Sequence, residues 1–124
     1  MAFQKNSNQK ISETEAKDLF DKIDKLINDQ ELFKNPNLTL PQLAKHLNIR
    51  THLLSQFVND NLSKNFSQFI NEYRIEEAKH LLNTNSNLKI EVIAEQCGFN
   101  SNSTFYTAFK KITGTTPSKF LNKE

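Results

Sequence analysis

Two stretches of this chain, fifty residues apart, are written on one pattern, and that repetition limits the available folds more than any other feature. Leu40-Pro41-Gln42-Leu43-Ala44-Lys45-His46-Leu47-Asn48-Ile49 lines up with Ile90-Glu91-Val92-Ile93-Ala94-Glu95-Gln96-Cys97-Gly98-Phe99 at an offset of 50, with apolar and turn positions coinciding. One residue added in the second turn moves the offset to 51, and Leu54, Phe57, Val58, Phe69 and Ile70 then match Phe105, Ala108, Phe109, Phe120 and Leu121. Self-similarity of this kind marks one supersecondary unit used twice. Each half offers a short helix with a central Ala, a residue able to adopt positive φ, and a longer helix with a polar face, which is helix-turn-helix grammar. Ala44 and Ala94 let two helices cross closely, while Asn48 and Gly98 allow the sharp turn.

The flanking sequence supplies further helices and no strand. Ser12-Glu13-Thr14-Glu15 has capping-box spacing, and Ala16, Leu19, Phe20, Ile23, Leu26 and Ile27 then recur at three- and four-residue steps. Asn35-Pro36-Asn37 breaks the chain, and Thr39 to Gln42 repeats the cap logic, with Pro41 tolerated in a first turn. Helices are expected at 40–47, 51–61, from about 66 to 82, at 90–97 and at 101–112, with Gly114 ending the last and Thr116-Pro117 opening a short closing helix. The tract 83–87 reads as a loop. These seven helices make an all-α fold: two helix-turn-helix subdomains joined by a long linker helix, with an extra N-terminal amphipathic helix. The expected divisions are a flexible tail or linker at 1–11, an N-terminal helix and connector at 12–37, a first helix-turn-helix at 38–65, a linker helix at 66–83, and a second helix-turn-helix with its closing helix at 84–124.

Composition suits that plan. The apolar share is 36% and there are ten Phe, so the core must be thin and lean on large rings. The formal charge is +2, but residues 39–124 hold ten basic side chains against seven acids, and from Gln96 to Lys123 there are four Lys and no acid. That asymmetry is an electrostatic footprint for a polyanion. The single Cys97 stands at an apolar position and reads as a packed thiol. His46, His52 and His80 lie in three different helices without metal-ligand spacing, and no phosphate loop, nucleophile elbow or paired acid site occurs. Neither catalysis, a metal nor a cofactor is expected. No apolar run has membrane-spanning length and no signal-peptide core opens the chain, so a cytoplasmic location is expected, as is a segment without membrane contact.

Leu38 to about Leu121 resembles the DNA-binding domain of the AraC/XylS family of bacterial transcription regulators. The likeness rests on Arg74-Ile75-Glu76-Glu77-Ala78-Lys79-His80-Leu81-Leu82, on residues 90–99, on Phe105 with Phe109-Lys110-Lys111, and on Thr113-Gly114-Thr115-Thr116-Pro117-Ser118, in that order and spacing. The resemblance implies two helix-turn-helix units bridged by a long helix at 66–82, with both recognition helices entering successive major grooves of double-stranded DNA. It also implies a sensor domain in the same parent protein, of which this chain is a C-terminal fragment, and a homodimer formed through that parent. Leu38-Thr39-Leu40-Pro41 and Tyr73 to Ala78 resemble the branch whose sensor part is large and often membrane-bound. The helix at 12–28 precedes the family core and is not required by it.

Helical spacing then assigns the base readers. His52, Ser55, Gln56 and Asn59 form a stripe opposite Leu54, Phe57 and Val58, with Thr51 at the helix start; Ser103, Tyr106, Thr107 and Lys110 form the matching stripe, with Asn102 at its start. Gln and Asn pair bidentately with adenine and Tyr or Thr contact a thymine methyl, so an A·T-leaning site is expected. Positions 56 and 107 hold Gln and Thr where many family members carry Arg, which argues against guanine readout. Arg50, Lys64, Asn65, Lys89, Lys110, Lys111 and Thr116 suit phosphates better than base edges. Arg50 and Lys89 stand where relatives carry a Ser-like cap, and Arg74 is expected to act structurally, spanning both halves. The competing reading is a helical protein-interaction module without DNA binding.

Overall fold

The structure, a computed structural model, describes residues 11–84 and 87–121. Apart from Ile11, the expected tail at 1–11 lies outside the described residues, as do positions 85 and 86 of the expected loop. The described residues are all helical in their regular structure: α1 (Glu13–Asp29), α2 (Leu40–Leu47), α3 (Thr51–Leu62), α4 (Phe66–Thr84), α5 (Ile90–Gln96), α6 (Asn102–Thr113) and α7 (Pro117–Leu121). A 3-10 turn at Leu32–Lys34, which periodicity did not indicate, lies between α1 and α2.

The chain divides into two compact units. The first contains α1, α2 and α3. In α1 the reciprocal cap is complete: Glu15 N donates to Ser12 Oγ at 3.1 Å and Ser12 N to Glu15 Oε1 at 3.0 Å. Of its six apolar positions, Leu19, Ile23 and Ile27 are buried, while Ala16, Phe20 and Leu26 are only half-buried. Thr39 and Gln42 make the same box at the start of α2, at 3.0 and 3.3 Å, with Pro41 in its first turn. Helix α2 packs on α3, and Leu43, Ala44, Leu47, Leu54, Phe57 and Val58 are all buried.

The second unit takes in residues 33–37 and everything from Ser67 onward. Ile75, Ala78 and Leu82 of α4 join Ile93, Ala94 and Cys97 and the aromatic face of α6 in one cluster. Edge-to-face contacts run from Phe99 to Phe105 at 5.3 Å, Phe105 to Phe109 at 5.7 Å and Phe109 to Phe120 at 5.5 Å between ring centroids. Four of the chain's ten Phe meet here, where ring pairs fill volume between short helices.

Two expectations need correction. Helix α4 continues past Leu82 to Thr84, where the Thr84 hydroxyl donates to the His80 carbonyl at 2.7 Å and sustains the last turn. The repeat also weakens at its end: Phe69 and Ile70 are buried, but Phe120 is half-buried and Leu121 is 36% exposed. The cause is length. Phe69 and Ile70 sit in a nineteen-residue helix, whereas Phe120 and Leu121 close a helix of five.

Candidate nucleic-acid interface

The turn that aims a recognition helix is built twice to one hydrogen-bond pattern. In the first unit Asn48 N donates to Lys45 O at 3.1 Å and Ile49 N to Ala44 O at 3.0 Å, with Asn48 left-handed at φ 58°, ψ 43°. In the second, Gly98 N donates to Glu95 O and Phe99 N to Ala94 O, both at 3.1 Å, with Gly98 at φ 101°. Closing the last turn back onto the carbonyl five residues earlier satisfies helix-end acceptors and redirects the chain within two residues. The next helix therefore leaves in a set direction, with its apolar side committed to the core.

What remains outward on each helix is polar. On α3, Thr51, His52 and Asn59 are exposed and Ser55 and Gln56 half-buried, beside the buried Leu54, Phe57 and Val58. On α6, Asn102, Ser103, Tyr106, Thr107 and Lys110 are exposed beside the buried Phe105, Ala108 and Phe109. Tyr106 keeps 39% of its surface exposed while its ring meets Phe105 edge to face at 5.8 Å. Each helix has twelve residues, about 18 Å at the helical rise. Neither stripe contains a carboxylate.

The cations sit at the ends of these elements. Arg50 and Lys89 occupy the N-caps of α3 and α5 and neither makes a side-chain cap hydrogen bond. Lys110 and Lys111 lie exposed in the last turn of α6. Among the described residues, none of these four forms an ion pair with a carboxylate. Lys64 follows Ser63, a left-handed residue at φ 56°, and its backbone N closes α3 onto Val58 O at 3.2 Å; Asn65 beside it is exposed. Thr116 is half-buried, and its hydroxyl accepts from Lys119 N at 3.2 Å as the cap of α7.

The caps differ between the units in a complementary way. Thr39 and Lys89 are matched positions, as are Arg50 and Ser101, whose hydroxyl accepts from Thr104 N at 3.1 Å. Within each helix-turn-helix pair, one helix thus has a side-chain cap and the other is opened by a cation. The free cation precedes the recognition helix in the first unit and the supporting helix in the second.

One residue meets the sequence expectation and another departs from it in part. Burial pushes the Cys97 thiol up to about 12, so the sulfur stays protonated and packed. Arg74 does act structurally, but entirely within the second unit: Nε donates to Phe33 O at 2.7 Å, Nη2 to Asn35 O at 3.0 Å and Nη1 to Asn71 Oδ1 at 3.3 Å. Its guanidinium also lies 5.7 Å from the centre of the Phe99 ring. Sequence reasoning treated 33–37 as a plain break; the signal available was Asn35-Pro36-Asn37, whose Asn35 side chain accepts from Asn37 N at 3.0 Å.

A family model described as a helix-turn-helix domain matches residues 43–123. The chain belongs to the AraC/XylS family. It is a DNA-binding helix-turn-helix domain of a transcriptional regulator. A transcriptional regulatory protein of Bacillus subtilis, YesN, is 34% identical over 92 residues, covering 73% of this chain and 25% of its own length. Two solved structures are similar to this AraC/XylS domain. One is the C-terminal domain of AraT, a response regulator from Geobacillus stearothermophilus, with a TM-score of 0.71, 31% identity and 83% of each chain covered. The other is the C-terminal domain of the two-component response regulator YesN from Fusobacterium nucleatum, with a TM-score of 0.70, 31% identity, and 84% of this chain and 98% of that one covered. Residues 38–124 are too few to supply those shares of the chain. The likeness therefore extends into the stretch that precedes residue 38. The chain spans a quarter or less of the length of the first curated relatives it matches.

Proposed function

We propose that this AraC/XylS domain reads double-stranded DNA by sequence, inserting α3 and α6 into successive major grooves of one duplex. The observation that carries the reading is the duplicated turn, which in each unit launches a twelve-residue helix whose named outward stripe is polar and contains no carboxylate, the exposed Asp60 of α3 standing outside that stripe. An α-helix fits the major groove, and base edges there present a code that hydroxyl, amide and imidazole groups can read.

In this reading Thr51, His52, Ser55, Gln56 and Asn59 meet one half-site, and Asn102, Ser103, Tyr106 and Thr107 the other. With amides, hydroxyls and a phenol but no Arg, the two stripes favour adenine and thymine contacts over guanine. Arg50, Lys64, Asn65, Lys89, Lys110, Lys111 and Thr116 hold the backbone and set register without reading sequence. The functional divisions are then 38–65 and 84–124 as reading units with 66–83 as linker helix. By analogy with the response regulators among its relatives, the parent protein carries a sensing domain, dimerises through it, and works in the cytoplasm.

Selecting bound duplexes from a random pool, followed by hydroxyl-radical footprinting of the winners, tests this. The expected result is two A·T-leaning half-sites with centres about 10 base pairs apart, protected on one face of the helix. A single contiguous half-site, or a pool that never enriches, would overturn it.

A further inference from the structure

Residues 33–37 form a strap whose docking on the second unit uses more contacts than a connector needs. The Phe33 ring is 5% exposed and stacks beside Tyr73 at 6.4 Å, and Lys34 Nζ lies 3.8 Å from Glu77 Oε2. Arg74 grips two strap carbonyls at once, those of Phe33 and Asn35, with the planar fork that lysine lacks. Gly98 completes the seat: a Cβ there would lie 2.3 Å from Phe33 O, 3.0 Å from Lys34 Cα and 3.1 Å from Arg74 Nε. Its partner in the repeat, Asn48, is exposed and carries a side chain at the same turn. Positive φ alone is met by Asn in the first unit. The second unit needs Gly on two counts: at φ 101° any side chain is strained, and backbone passes over the turn.

Chain order gives the strap its significance. It is preceded by α1 and followed by Leu38 and α2, all of the first unit, so the polypeptide passes between the units at both ends of the strap and a third time at Phe66–Ser67. We propose that Arg74 is a positioning residue for DNA reading: by holding the strap it anchors two of the three chain passages on the second unit, and so sets the spacing at which the two recognition helices can be used together. This rests on the two-groove reading above. Loosening the strap leaves each unit able to bind its half-site and frees the spacing between them.

The test uses the whole chain, the selected duplex, versions with two base pairs inserted between the half-sites, and single half-site duplexes. Trypsin cleavage after Lys34 reports the strap without DNA, and circular dichroism reports folding. For the wild type, slow cleavage is expected, with a loss of about 100-fold on insertion, since joint engagement raises affinity by factors of that order. For Arg74→Lys, with helical signal retained, cleavage should quicken at least about tenfold, half-site affinity should stay unchanged, and the insertion penalty should fall to about threefold. Gly98→Asn, whose Cβ would stand in the seat, should likewise quicken cleavage and lower the insertion penalty if Arg74→Lys loses helical signal, each penalty being taken relative to that variant's own half-site affinity because Gly98 also belongs to the turn that launches α6. A strap that opens while the insertion penalty stays at wild-type size overturns the proposal and leaves the two-groove reading intact. A strap that stays closed in both variants also overturns it. A wild type indifferent to the insertion overturns the two-groove reading itself.

Discussion

Replacing Arg50 with serine should stabilise the domain and weaken its hold on DNA, and the two effects can be measured separately. Arg50 opens α3 with extended backbone, φ −72° and ψ 143°, and supplies no cap to the first-turn amides. Its counterpart Ser101 has the same role at α6 and accepts from the amide three residues on, so Arg50→Ser grafts an arrangement that this fold already uses. A serine cap contributes about 1 kcal/mol over a residue that cannot accept. Removing a cation from the positive end of the helix dipole adds roughly 0.3 to 1 kcal/mol for an exposed site. About 1.5 kcal/mol in all corresponds to a rise of roughly 5 °C in Tm for a domain of this size. Arg50 is exposed and has no carboxylate partner among the described residues, so little is lost against that gain.

The DNA side of the same substitution is read from salt. If Arg50 neutralises one phosphate, the slope of log K against log salt should shrink by about 0.9 in magnitude. Arg50→Ala separates the causes: it should shrink the slope equally and leave Tm below that of Arg50→Ser by about 1 kcal/mol of cap. Thermal melts by circular dichroism and fluorescence-anisotropy titrations between about 50 and 200 mM salt suffice. An Arg50→Ser protein no more stable than wild type, with an unchanged slope, would refute both halves of the reasoning.

Gln56→Ala and Thr107→Ala should each change which bases are preferred at one position, with discrimination falling by about 1 to 3 kcal/mol for a lost bidentate pair and less for a single contact, as read by repeating the selection. Lys110→Ala should instead weaken binding to all sequences alike and reduce the salt slope by about 0.9. Phe105→Ala removes a ring that is fully buried against Phe99, Tyr106 and Phe109, and should cost about 3 to 5 kcal/mol in denaturant melts, chiefly in the second unit. Cys97, buried and with its thiol raised from 9.0 to about 12, should resist alkylation at pH 8 until the chain is unfolded. Because the unfolded thiol ionises first, that group's contribution is intact below pH 9 and is lost as pH climbs toward 12, so an alkaline melt series should show stability falling across that window.

Legibility followed the physical range of each signal. The paired turns could be read because a turn is local: Asn48 and Gly98 announce positive φ, and the hydrogen bonds from Ile49 to Ala44 and from Phe99 to Ala94 span only five residues. Caps were equally plain at Ser12 and Thr39, where a hydroxyl meets an amide three residues away, whereas Ser101, expected inside the helix at 101–112, is its cap. The outward stripe on α6 followed from periodicity. On α3 the same periodicity overstated exposure, since Ser55 and Gln56 are half-buried. What could not be read was the strap, because its contacts join residues about forty positions apart and involve carbonyls, which every residue carries. The reading of Arg74 as structural was right in kind and wrong in partner for that reason.

The two units also show how a duplicated scaffold is made unequal without altering its turn. Lys89 replaces a cap like Thr39 in one unit, and Arg50 replaces a cap like Ser101 in the other, each exchanging local helix stability for an unpaired cation at a helix start. The Asn48 and Gly98 pair differs for another reason, the larger φ of the Gly98 turn and the backbone that lies over it. Differences of the first kind act on affinity and salt dependence, since they move charge. The second kind acts on geometry, since it makes room. Completing both sets of caps, with Arg50→Ser and Lys89→Thr combined, removes both cations and should therefore lower affinity at moderate salt while leaving half-site spacing untouched, and a change in preferred spacing would break the separation drawn between charge and seat.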